Sequence, residues 1–276
     1  MSLWNSEKEP DQPPLTPLGL VTALLRLVAM AIVIYGLLIV LVVTRLLEGL
    51  IGGRRLSPYI VQVACRASLI VLGFKVRTHG TPMQHDGAIV CNHSSWIDIM
   101  TLNSAVQVFF VSKAEVSKWP GIGIIARATG TVFIERLASQ AKKQKALFEE
   151  RLISGDRLLF FPEGTSTDSR RVLGFKSTLF AAFFEPALID TMWIQPVSLV
   201  YHAPKGSDVR FYGWWGDMTF APHFLKTLSV RKSGSADIVF HAPVRVADFK
   251  DRKSLAIYCE GEVRKGMDAK IDRSSD

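Results

Sequence analysis

From Leu18 to Leu50 apolar side chains occupy every face of the pattern, and the central run Leu27 to Thr44, LVAMAIVIYGLLIVLVVT, holds no charge. At 1.5 Å per residue, about 18 residues reach roughly 27 Å, enough to cross a thin hydrocarbon layer. A buried core helix is the alternative, disfavoured because a surface helix of a small domain would show a polar stripe and none is present. A secretory signal is disfavoured by Glu7, Glu9 and Asp11 ahead of the run and by the lack of a small-residue cleavage pattern behind it. A second apolar stretch, Tyr59 to Phe74, is interrupted by Gln62, Arg66 and Ser68 and reads as an interfacial, amphipathic segment. Two arrangements follow: a spanning first helix with the second on the inner surface, or a hairpin dipped into one leaflet. Arg45, Arg54 and Arg55 close behind the apolar core place the following domain in the cytoplasm.

Beyond residue 74 short apolar runs alternate with helical stretches, the pattern of an α/β fold: a mostly parallel, mixed sheet flanked by helices, preceded by membrane-binding helices. Strands are expected at Val71 to Thr78, Ala88 to Cys91, Val106 to Ser112, Thr131 to Ile134, Arg157 to Phe161, Trp193 to Val200 and Asp237 to His241. Helices are expected at Ser95 to Ser104, Ala138 to Ile153, Lys176 to Ala187 and Asp251 to Gly266. In Ala141 to Ile153 the spacing turns Ala146, Leu147 and Ile153 inward and Lys142, Lys143, Glu149 and Glu150 outward. Residues 1–17, with four prolines, read as a disordered lead-in, 18–74 as membrane-anchoring helices and 75–276 as one catalytic-sized domain. The segment Gly213 to His223 reads as a loop whose Trp214 and Trp215 either anchor at a lipid interface or pack inside.

Charge sharpens the picture: 33 Lys and Arg against 25 Asp and Glu give a formal +8. Such a balance suits anionic lipid or an acidic carrier protein as well as nucleic acid, but the aromatic and basic motifs of single-strand binders are not recognisable, which favours the membrane. Cys65, Cys91 and Cys259 form no Cys-x-x-Cys or Cys/His cluster, so they read as reduced and structural, with no metal site.

The chemistry concentrates in two strand-to-loop junctions. After Ala88 to Cys91 comes Asn92-His93-Ser94-Ser95-Trp96-Ile97-Asp98, which puts an imidazole at the carboxyl edge of a sheet beside a helix start. An alcohol is a weak nucleophile at neutral pH, and a histidine whose far nitrogen is held by a carboxylate is suited to take its proton. Five residues is not a same-face helical spacing, so His93 must sit in the turn while Asp98 reaches back from the first helical turn. After Arg157 to Phe161 comes Pro162-Glu163-Gly164-Thr165-Ser166-Thr167, where Gly164 lets backbone amides approach a ligand. Between the two, Lys113 and Arg136 flank strand ends and can converge on one anionic group. No Gly-x-Ser-x-Gly elbow supports a hydrolase, and a non-enzymatic lipid-binding scaffold has no use for an aligned base and carboxylate.

In order, these blocks resemble the lysophospholipid acyltransferase superfamily, specifically bacterial enzymes of the 1-acylglycerol-3-phosphate acyltransferase type. His93 with Asp98 matches the His-x4-Asp block, Lys113 through Arg136 the second, Phe161 to Thr165 the Phe-Pro-Glu-Gly-Thr block, and Ile194-Gln195-Pro196-Val197 the fourth. The resemblance implies a membrane-held enzyme of the inner membrane facing the cytoplasm. Its donor would be an acyl carrier protein or coenzyme A thioester and its acceptor a lysolipid, with no cofactor and no covalent acyl-enzyme. His93 would be the general base and Asp98 its partner. Glu163 and Gly164 would help bind the acceptor, Asn92 and Thr165 would be further substrate-binding residues, and Lys113 and Arg136 would lie near the donor or a phosphate. One position departs: Ser166 stands where the family carries an arginine that holds the acceptor phosphate, and a hydroxyl does not replace a bidentate cation. Arg170, Arg171 and Lys176 are candidates to compensate. The stretch Phe161 to Phe180 also resembles the branch that acylates lyso-ornithine lipid, so 1-acylglycerol-3-phosphate and lyso-ornithine lipid stand as acceptors of near-equal weight.

Overall fold

A computed structural model describes residues 4, 8–10, 15–51, 56–119, 121–134 and 141–272. Two helices come first: α1, Pro17–Ile51, and α2, Ser57–Leu72. They pack on each other, α2 packs on α3, and α1 also touches α4 and α6. By length and composition α1 is long and apolar enough to cross a membrane. The expected strand at Val71 to Thr78 starts later, because α2 runs to Leu72 and is stopped by Gly73 in the left-handed region (φ 67°). There Gly73 N–H donates to Ile70 O and Phe74 N–H to Leu69 O, closing the helix end.

The strands are β1 (Lys75–His79), β2 (Gly87–Cys91), β3 (Phe109–Lys113), β4 (Val132–Ile134), β5 (Leu158–Phe160), β6 (Trp193–His202), β7 (Ser235–Phe240) and β8 (Val244–Arg245). They form one sheet in the order β1-β7-β6-β2-β5-β3-β4, with β8 paired to β6. Every pairing is parallel except β6 with β7 and β6 with β8. The remaining helices are α3 (Asp98–Ala105), α4 (Ile122–Ala128), α5 (Ala141–Ile153), α6 (Phe220–Ser229) and α7 (Arg252–Asp272).

Helices cover both faces of the sheet, so β2 is buried at every residue and reads as a continuous apolar run. Alternate side chains feed two cores. Ile89 and Cys91 join Leu69 and Leu72 of α2, Leu102 of α3 and Leu228 of α6, whereas Ala88 and Val90 join Phe148 and Leu152 of α5 and Leu255 and Cys259 of α7. All three cysteines are free and buried. On α5 the buried pair is Phe148 and Leu152, one helical turn apart; Ala146 and Ile153, expected inward, are exposed. The expected helix at Lys176 to Ala187 is a 3-10 segment, Ser177–Phe184, whose buried Phe180 and Phe183 keep the three-residue period of that tighter coil.

Candidate active site

β2 and β5 are hydrogen-bonded neighbours and β3 lies beside β5, all three parallel, so the loops leaving their carboxyl ends share one edge. That topology brings His93, the Glu163-Gly164-Thr165 loop and Lys113 to one cavity of about 380 Å³, whose lining includes all of these except Glu163. Arg136 lies outside the described residues.

Asp98 is the first residue of α3 and completely buried. Its Oδ2 accepts from Ser94 N–H (2.8 Å) and Ser95 N–H (3.1 Å), and its Oδ1 from the Tyr201 hydroxyl (2.8 Å). A carboxylate so used is an acceptor only, so His93 Nδ1, 2.7 Å from Oδ2, donates. The imidazole is thereby fixed with Nε2 as its basic nitrogen, and no protein partner for Nε2 occurs among the described residues. The ring also stacks on Phe161, centroids 4.1 Å apart and 12° from parallel. The side chain of His93 remains 24% accessible.

Two expected substrate contacts have their side chains turned elsewhere. Asn92 is buried, donating from Nδ2 to Leu199 O and accepting at Oδ1 from Leu199 N–H, both at 2.8 Å. It extends the β2–β6 pairing one residue past the strand. Glu163 is buried too: its Oε1 accepts from His93 N–H (2.7 Å) and its Oε2 from Leu173 N–H (2.8 Å). Burial pushes its carboxyl up to about 8, against the pull of those two amides. Neither residue is part of the cavity lining, so their geometry is that of positioning groups. Gly164, at φ 73°, turns the loop so that Thr165 and Ser166 come to the cavity wall.

A model of the Acyltransferase family matches residues 74–200. The chain is 52% identical over 268 residues to a lyso-ornithine lipid O-acyltransferase of Rhodobacter capsulatus, covering 96% of this chain and 97% of that one. The chain belongs to the acyltransferase family. It is also 31% identical over 185 residues to a 1-acyl-sn-glycerol-3-phosphate acyltransferase of Neisseria gonorrhoeae, covering 66% of this chain and 70% of the relative. In fold, the acyltransferase matches the crystal structure of a 1-acyl-sn-glycerophosphate acyltransferase from Thermotoga maritima with a TM-score of 0.63, 21% identity and coverage of 91% and 95%. It is thus an acyltransferase of lipid biosynthesis that passes an acyl group from a donor to a lysolipid.

Several groups around the acyltransferase site carry little sequence signal. Ser166 Oγ donates to Trp214 O, tying the loop after β5 to the segment between β6 and α6. Arg171 is spent on Asp168, which its Nε and Nη2 both reach (3.2 and 2.8 Å), and neither Arg170, Arg171 nor Lys176 lines the cavity. Trp215 is buried, so it packs inside and does not anchor in lipid. The expected loop from Gly213 to His223 ends in α6, which begins at Phe220. Its inward face carries His223 and Lys226, polar residues that break the apolar period. His223 is held neutral, driven down to about 3 by burial and then by Lys226. It accepts from Trp96 Nε1 and donates to Gly213 O, both at 2.9 Å.

Tyr201→Phe removes one of the four hydrogen bonds to Asp98 while leaving His93 its partner. Stability is expected to fall by about 1.5–3 kcal/mol, read as a lower thermal midpoint, with kcat reduced less than about tenfold. A kcat loss as deep as that of Asp98→Ala would contradict this division of labour.

Proposed function

We propose that the acceptor of this acyltransferase is lyso-ornithine lipid and that the donor is a fatty acyl thioester of acyl carrier protein or coenzyme A. The carrying observation is the wall beside His93. Ser166 there is committed to Trp214 O, and among the described lining residues the fixed cation is Lys113 alone. A neutral hydroxyl so committed offers a phosphate monoester no bidentate contact.

In the proposed reaction the acceptor hydroxyl lies against His93 Nε2. The imidazole takes its proton as the oxygen attacks the thioester carbonyl, and the adjacent Asp98 carboxylate stabilises the imidazolium. Collapse of the tetrahedral intermediate breaks the carbon–sulfur bond, and the departing thiolate receives the proton from Nε2. The products are the ester and the free thiol, with no covalent enzyme intermediate.

Residues 18–74 would seat the enzyme on the inner membrane, with 75–276 carrying the chemistry in the cytoplasm. Of the two membrane arrangements, the shallow hairpin is the better supported. Arg26, near one end of α1, donates to Leu228 O (3.0 Å) at the end of α6, and Glu48, near the other, accepts from Leu56 and Ser57 N–H at the start of α2. About 22 residues separate them, roughly 33 Å of helix, and between these ends α1 packs on α4 and α6 of the catalytic part, which favours a helix lying along the folded domain. Its exposed stripe, Leu25, Ile32, Ile39 and Leu46 at seven-residue spacing, faces away from the protein.

The test supplies purified protein with labelled acyl thioester and either lyso-ornithine lipid or 1-acylglycerol-3-phosphate. Faster turnover of the ornithine acceptor is expected, and Ser166→Arg should move the ratio toward the phosphate acceptor by about tenfold, one charge-assisted contact. Preference for the phosphate acceptor by the unmodified enzyme would overturn the assignment.

A further inference from the structure

Trp119 and Trp214 meet edge to face on the cavity wall, centroids 6.2 Å apart at 81°. Trp214 is held from several directions. Its N–H donates to Ser94 O (2.9 Å), its carbonyl accepts from Ser166 Oγ, and its indole Nε1 donates to Met218 O (2.8 Å). The residue before it, Gly213, is fixed by His223, which Trp96 in turn holds. Both motif loops therefore grip this one tryptophan.

Two consequences follow for a ligand. The indole N–H of Trp214 is spent, so the ring has no donor left for an anion and offers only its π surface, whose negative face attracts ammonium and repels phosphate. Among the described residues that line the cavity there is no carboxylate, whereas Lys113 supplies an ammonium. A positive group entering here meets rings, and a carboxylate meets Lys113.

We propose that Trp119 and Trp214 form a subsite for the free ammonium of a zwitterionic amino-acid head group, that Lys113 takes the head group's carboxylate, and that this aromatic corner discriminates against phosphate. The inference rests on the ornithine reading of the acceptor and assigns how that head group is read.

The experiment uses the full chain in detergent with a labelled acyl thioester and three acceptors: lyso-ornithine lipid, the same lipid with its free amine acetylated, and 1-acylglycerol-3-phosphate. Acetylation should lower kcat/KM of the unmodified enzyme about tenfold, mainly through KM, the size of one desolvated cation–π contact. Trp119→Leu, at a ring already 39% exposed and therefore tolerant of change, should lose about the same factor on the native lipid and nothing further on the acetylated one. Trp214→Phe should retain most of the discrimination because it keeps a π face. Equal turnover of native and acetylated lipid by the unmodified enzyme, or an equal loss on both in Trp119→Leu, overturns the subsite alone. Turnover of 1-acylglycerol-3-phosphate with none of either ornithine lipid overturns the acceptor reading, and the subsite with it.

Discussion

His93→Ala is expected to cut acyl transfer by about 10²–10⁴-fold, the usual worth of a positioned general base, with little change in membrane recovery or thermal midpoint. Its ring makes one side-chain hydrogen bond, to Asp98, and otherwise stacks on Phe161 at the cavity wall, so removing it leaves the fold intact. Asp98→Asn should fall in a similar range for a different reason. The amide presents one donating side to a position where Ser94 N–H, Ser95 N–H, His93 Nδ1 and the Tyr201 hydroxyl all need an acceptor. Transfer of labelled acyl chains by purified variants decides the matter: a His93→Ala enzyme retaining a tenth of the original rate would remove the imidazole from the chemistry.

Glu163 should make the folded state sensitive to alkali. Its carboxyl, ordinarily near 4.5, is raised to about 8 by burial, so the folded protein keeps a proton that the unfolded chain has lost. Stability from this group is complete below about pH 4.5, declines as pH climbs, and is gone once pH passes about 8. The span is on the order of a few kcal/mol. Glu163→Gln cannot titrate and faces one backbone N–H with its own amide donor. It should therefore start lower at pH 5.5 by about 1–3 kcal/mol and show a flatter thermal midpoint from pH 5.5 to 8.5. An equally steep decline in the variant would assign the pH dependence to other groups.

The strands that read as short continuous apolar runs were legible, because a strand covered on both faces has few alternatives: β2, β5 and β6 lie where the runs Ala88 to Cys91, Arg157 to Phe161 and Trp193 to Val200 indicate. The convergence of His93 with Asp98 was legible as a requirement on geometry, a turn followed by a first helical residue reaching back, and the structure meets it with a 2.7 Å contact. What stayed hidden depends on distant pairing. Tyr201 sits within an apolar strand, and only its polar tip, which needs a partner when buried, hinted at Asp98. Glu163 was expected at the acceptor from the family resemblance, and the structure gives its two oxygens to His93 N–H and Leu173 N–H. α4, Ile122–Ala128, went unforeseen as well, being too short for helical periodicity to show in the sequence.

The first helix is a wall of the molecule as well as its proposed membrane seat. Ala23 and Met30 on α1 belong to the same core as Leu69, Leu72 and Leu228. Clipping it away to obtain a water-soluble enzyme would therefore uncover fresh oily surface on α2 and α6. Solubility is better sought by recolouring the outward residues Leu25, Ile32, Ile39 and Leu46 with polar side chains, which spares the inward seam.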